Sequence, residues 1–152
     1  MQLANALCLF IELAAQPARH SAVTIVERAT GFLQIGKLER HRAADTASRV
    51  VELIARRPEA FVTITADNGT EFHSYKTVEE ATGVPFYFAT PHHSWERGTN
   101  ENTNGLIRQY LPKGKSMAHI TQADCDAIAA KLNSRPRKRL GYKTPEECYA
   151  LS

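Results

Sequence analysis

Residues 21–38, SAVTIVERATGFLQIGKL, constrain the fold more than any other stretch of this 152-residue chain. Two runs rich in β-branched and apolar residues, AVTIV and FLQIGKL, stand on either side of Thr30-Gly31. Runs of that kind around a turn signal close as an antiparallel hairpin. DTASRVVELIARRP follows, with Ala47, Val50, Val51, Ile54 and Ala55 spaced along one helical face. Asp45 or Thr46 is the expected cap, and Pro58 stands just beyond the expected end.

The helix hands over to FVTITADNG, residues 61–69, whose alternation and density of β-formers predict a strand ending on Asp67-Asn68-Gly69. A helix is expected near Tyr75 to Thr82, closed by Gly83, and VPFYFAT is a further short strand. After the irregular PHHSW comes a helix within RGTNENTNGLIRQY, residues 97–110. TQADCDAIAAKLN is a helix capped by Thr121, with a core face through Ile128, Ala129 and Leu132. TPEECYAL is a last short helix, opened by Thr144 with Pro145 at its first position. Strands that alternate with helices after a hairpin predict an α/β fold, a mixed sheet of one antiparallel hairpin plus parallel strands flanked by helices. In such sheets functional groups gather at the C-terminal ends of parallel strands, where Asp67 falls.

The length suits one compact domain. With 43% hydrophobic and 23% charged residues the chain reads as globular, which excludes disordered and fibrous classes. LANALCLFIEL, near the start, is too short for a membrane span, contains Glu12 and lacks the basic beginning of a signal peptide, so it reads as core. Cys8, Cys125 and Cys148 fit neither a metal pattern nor a disulfide framework, and a cytoplasmic location is expected. Charge is uneven. From Glu101 onward nine basic residues face five acids, an excess that favours a polyanionic partner, with a solvated basic tail as the equally common alternative.

Two acids carry the chemical interest. Asp-Asn-Gly fits a tight turn, but the sequence after it reads as helix, so no hairpin is being closed and the carboxylate of Asp67 is available to a cation or phosphate. Glu101 lies near a helix start, where the helix dipole alone favours an acid. Yet Glu101, Asn104 and Arg108 share one polar face, while Leu106, Ile107 and Tyr110 can take the core face.

ITADNGTEF, WERGTNENTNGLIRQYLPKG and LNSRPRKRLGYKTPEE together resemble the catalytic core of insertion sequence 30 family transposases, within the DDE transposases and retroviral-type integrases. The resemblance runs from about His20 to the end. It implies an RNase H-like fold for residues 20–152, with residues 1–19 as an atypical N-terminal segment. It also implies DNA cleavage and strand transfer with Mg²⁺ or Mn²⁺, in which Asp67 and Glu101 are the second and third acids of the triad. The 33 residues between them suit the family interval. Transposon ends and target DNA are the implied partners, with self-association possible and no membrane, in a bacterial cytoplasm near the nucleoid. An RNase H-like metal-dependent nuclease is an alternative on the same fold.

The sequence departs from the family at its start. No Asp precedes Asp45, the family's first-acid phrase is missing, and Glu12 is the sole acid near that position. A truncated or frame-shifted copy without its N-terminal helix-turn-helix region is therefore expected, with impaired chemistry. A non-catalytic DNA-binding or oligomerising remnant is the corresponding alternative. CLFIEL could still fill the central strand, since a strand buried on both faces reads as a continuous apolar run. Arg135, Arg137, Lys138, Arg139 and Lys143 form an expected phosphate clamp, extended by Lys113 and Lys115. Trp95 and Arg97 are expected to border the DNA channel, with Asn104 and Arg108 lining the approach.

Overall fold

The computed structural model describes residues 6–7, 21–40, 42–66, 74–88, 103, 105–112 and 117–150. Its strands are β1 (Ala6–Leu7), β2 (Ser21–Glu27), β3 (Leu33–Leu38), β4 (Ile64–Ala66) and β5 (Phe86–Phe88). Its helices are α1 (Ala43–Ala55), α2 (Tyr75–Thr82), α3 (Gln122–Asn133) and α4 (Pro145–Ala150).

The expected hairpin is β2 and β3, paired antiparallel from Ser21 with Leu38 to Val26 with Leu33. Gly31 takes the left-handed conformation that the turn requires, φ 76°. The turn closes on the buried Glu27 carboxylate, which accepts from the Ala29 and Thr30 N–H groups at 2.9 and 2.7 Å and from the Thr30 hydroxyl. Three donors satisfy an acid that would otherwise be costly to bury.

One mixed five-stranded sheet results, in the order β3-β2-β1-β4-β5. At its centre β1 runs antiparallel to β2 and parallel to β4, and β4 runs parallel to β5. Alternation along β2 then divides the core between two faces. Val23 and Ile25 pack with Val50, Leu53 and Ile54 of α1, Ile64 and Ala66 of β4, and Val78 of α2. Ala22 and Val26 pack on the opposite face with Leu33, Ile35, Ile107, Leu111 and the α3 residues Cys125, Ile128 and Leu132. Fully burying one such side chain contributes about 1.5–3 kcal/mol.

Local signals set the helix ends with unequal success. Thr121 accepts from the Asp124 N–H at 3.1 Å and the Asp124 carboxylate accepts from the Thr121 N–H at 2.9 Å, a complete capping box at the start of α3. Thr144 and Glu147 repeat that exchange before α4. Gly83, φ 72°, ends α2 and donates its N–H to the Glu79 carbonyl at 2.7 Å. The start of α1 differs from expectation. It follows Arg42 with no side-chain cap, and the Thr46 hydroxyl donates back to the Arg42 carbonyl at 3.1 Å rather than capping. The buried face of α1 holds Leu53, whereas Ala55 is exposed. Of the strand expected over 61–69, the described residues 61–66 are regular only across Ile64–Ala66, following a 3-10 turn at Pro58–Ala60; residues 67–69 lie outside the described residues.

Candidate functional site

The parallel strands β1, β4 and β5 point their C-terminal ends the same way, and β4 ends at the buried Ala66. Asp67 is the next residue and lies outside the described residues, as do Glu12, Trp95, Arg97, Glu101, Asn104, Lys113 and Lys115. Among the described residues no group of three His, Cys, Asp or Glu side chains could hold a metal ion.

The segment after Glu101 is anchored on the α3 face of the sheet. Thr103 and the stretch 105–107 are helical, Thr103 and Ile107 are buried, and Leu106 and Tyr110 pack against the same cluster as Ile107. This is the expected core face, and Arg108 follows it half-buried.

Further along, Met117 joins that cluster, and its carbonyl accepts from the ammonium of Lys37. Lys37 is 1% exposed, in an edge strand. Burial holds its pKa below the usual lysine value, against the pull of Glu39 and Cys125. The neighbouring Cys125 is wholly buried, and desolvation pushes its thiol up to about 11.

Three of the five basic residues in 135–143 make contacts within the fold. Arg135 donates to Gln109 Oε1 at 2.9 Å and to the Tyr110 hydroxyl, with its guanidinium 5.5 Å from the Tyr110 ring centre. Arg137 donates to the Leu132 carbonyl at 3.0 Å; burial first, then Arg135 and Arg139, lower its pKa. Arg139 donates to the Ala29 carbonyl at 2.9 Å, tying its loop to the β2–β3 turn. Lys138 and Lys143 are exposed.

That tie locates the basic loop. Glu27, the last residue of β2, pairs with Ala6, the first of β1, and Ala6 pairs with Ile64, the first of β4. The turn after Glu27 therefore lies at the N-terminal ends of the parallel strands. The basic loop is therefore tied to the N-terminal side of the parallel strands, whereas Ala66 lies two residues along β4 toward their C-terminal side.

Sequence reasoning overlooked the residues that close the edge at β3. The Asn133 side-chain amide accepts from the Leu33 N–H at 2.8 Å and donates to the Leu33 carbonyl at 2.9 Å. Gln122 accepts from the Lys37 N–H at 2.7 Å and donates to the Ile35 carbonyl at 2.9 Å. Arg49 Nε donates to the Lys37 carbonyl at 2.9 Å. Two amides eleven positions apart, three helical turns, were the available signal.

Comparison with known proteins agrees with this architecture, although no family model matches the chain. It is 49% identical over 125 residues to the transposase for insertion sequence element IS4351 of Bacteroides fragilis, covering 82% of this chain and 38% of that protein. It is 41% identical, again over 82% of its length, to transposase InsI for insertion sequence element IS30A of Escherichia coli, of which it covers 33%. With the transposase for IS1086 of Cupriavidus metallidurans it shares 50% identity over 58% of its length and 26% of that protein. The chain thus spans about a third of the first two relatives and a quarter of the third. Among solved structures, the catalytic core domain of BIV integrase superposes with a TM-score of 0.68 at 18% identity, over 95% of this chain and 93% of that one. A chain of the simian T-cell lymphotropic virus intasome in complex with PP2A regulatory subunit B56 gamma gives 0.75 at 13% identity, over 98% and 55%. At these identities the structural likeness shows the fold, an RNase H-like integrase core, while the sequence matches group the chain with the transposases of the insertion sequence 30 family.

Proposed function

We propose that this chain is a DNA transposase core in which Asp67 and Glu101 hold divalent metal at the C-terminal end of β4. The observation that carries the reading is the parallel β1–β4 pair at the centre of an integrase-type sheet, with Asp67 one residue past Ala66.

Carboxylates are the hard oxygen donors that Mg²⁺ and Mn²⁺ prefer, so the donor set fits the ion. The bound ion supplies charge stabilisation to the attacking and leaving oxygens of an in-line displacement at phosphorus. Around it, Asp67 and Glu101 fix the ion's position, Asn104 and Arg108 line the approach of the DNA, and Trp95 and Arg97 border its channel. In cleavage, water attacks the phosphodiester and the bond to the 3′ oxygen breaks, leaving a 3′-hydroxyl. In joining, that hydroxyl attacks a target phosphodiester and a target 3′ oxygen departs, so each step forms one P–O bond and breaks another.

The sequence has no Asp before Asp45, and Glu12 follows the β1 residue Leu7 by five positions where Asp67 follows Ala66 by one. This favours the second reading, a chain that binds DNA and metal but joins DNA poorly, because a misplacement of about 1 Å can reduce rate around 100-fold. Metal binding tests the assignment without requiring turnover. Mg²⁺ or Mn²⁺ should raise the melting temperature of the wild type and leave that of Asp67→Asn and Glu101→Gln unchanged. A full metal-dependent shift in both variants overturns it. Strand transfer by the wild type, lost in Glu12→Gln, would instead make Glu12 the working first acid and remove the impaired reading.

A further inference from the structure

Among the described residues Tyr142 is the non-glycine residue with a positive φ, 66°. It follows Gly141, φ 64°, and the Lys143 N–H donates to the Leu140 carbonyl at 3.3 Å. Two successive positive φ values bridged in this way form a turn of the I′ kind, whose central positions favour Gly, Asn or Asp. A bulky L-residue adopts this conformation only at a cost.

Burial does not offset that cost, because Tyr142 is 70% exposed. The surrounding turn is firmly built. The Arg137 N–H donates to the Lys143 carbonyl at 2.9 Å, the Tyr142 N–H donates to the Arg137 carbonyl at 2.9 Å, and Arg137 and Arg139 pin the turn to Leu132 and Ala29. A well-tied turn thus holds an exposed phenol in the same loop as the exposed Lys138 and Lys143. Strain maintained by a well-tied frame is characteristic of ligand clamps, and tyrosine hydroxyls are regular donors to DNA phosphates.

We propose that the Arg137–Lys143 turn is a second duplex-DNA contact, on the N-terminal side of the parallel strands, in which Tyr142 donates its hydroxyl to a phosphate flanked by Lys138 and Lys143. The inference rests on the reading of the chain as a DNA transposase core, and it separates two surfaces that the sequence alone would join into one track. DNA held at this turn lies on the N-terminal side of the parallel strands, as another part of the duplex under reaction or as a different duplex.

Fluorescence anisotropy with a labelled B-form duplex, without divalent metal and across a salt series, tests the proposal. The double variant Lys138→Ala, Lys143→Ala should weaken binding at every sequence and reduce the salt slope by about two. Tyr142→Gly and Tyr142→Phe should each weaken binding about tenfold with the slope unchanged, since a neutral donor to an ionised group is lost. Tyr142→Gly should melt at or above the wild-type temperature, because glycine accepts a positive φ freely, which excludes misfolding as the cause. Wild-type affinity in both Tyr142 variants beside a weakened lysine variant overturns the tyrosine contact alone. Unchanged binding in the lysine variant removes the whole turn from the interface, while the metal-dependent melting shift decides the catalytic reading separately. A wild type that binds no duplex overturns both.

Discussion

At Gly36 the fold leaves no room for a side chain. A Cβ there would stand 2.5 Å from Arg49 Cγ and 3.0 Å from Leu53 Cδ1, because α1 lies directly on β3 at this point. Gly36→Ala should therefore destabilise by about 1–3 kcal/mol in urea melts, through displacement of α1 rather than through φ. Cys125 offers a second test at this scale. Its thiol is buried and pushed up to about 11, whereas Cys148 is half-buried. Peptide mapping after brief iodoacetamide treatment at pH 8 should find Cys148 labelled well before Cys125. Between pH 9 and 11 the folded state keeps a proton at Cys125 that the unfolded state loses, so this thiol makes stability fall as pH rises through that window. Lys37 acts with the opposite sign. Its folded pKa lies below 10.5, so in the interval between them the unfolded state holds the extra proton and stability rises with pH.

Among elements, α3 has a part beyond packing. An edge strand presents a row of backbone donors and acceptors to any passing strand, and α3 occupies four such groups on β3 through Gln122 and Asn133. Asn133→Ala strands two buried backbone groups, so a loss of about 2–4 kcal/mol is expected. Gln122→Ala should cost less, since its site is only partly buried. Both variants should also aggregate faster than the wild type during mild heating, read by light scattering. Removing the cap with Thr121→Ala should cost about 1 kcal/mol without that aggregation, because it frays α3 and leaves the two amides in place.

At the scale of the whole molecule, the proposed metal site and the basic loop should respond to different reagents. Chelation by EDTA should abolish any strand transfer while leaving most duplex binding intact, and raised salt should weaken duplex binding whether or not metal is present. Loss of duplex binding on chelation alone would count against separate metal and duplex contacts. No helix among the described residues is long and apolar enough to cross a membrane.

The hairpin, the caps of α3 and α4, the closure of α2 and the core face of the 105–111 segment were legible in the sequence, because each depends on contacts between residues a few positions apart. The family phrases also pointed to the integrase-type fold and to Asp67 and Glu101 as the acids to test. Tertiary structure alone decided the rest. Lys37 was read within an apolar strand, and only the approach of the chain at Met117, eighty positions on, provides its partner. Arg135, Arg137 and Arg139 looked like one basic run, but the fold turns them toward Tyr110, Leu132 and Ala29. Local sequence determines which backbone conformations are cheap. Which charges face solvent depends on which distant carbonyls come within hydrogen-bond reach, and that is known only once the sheet has closed.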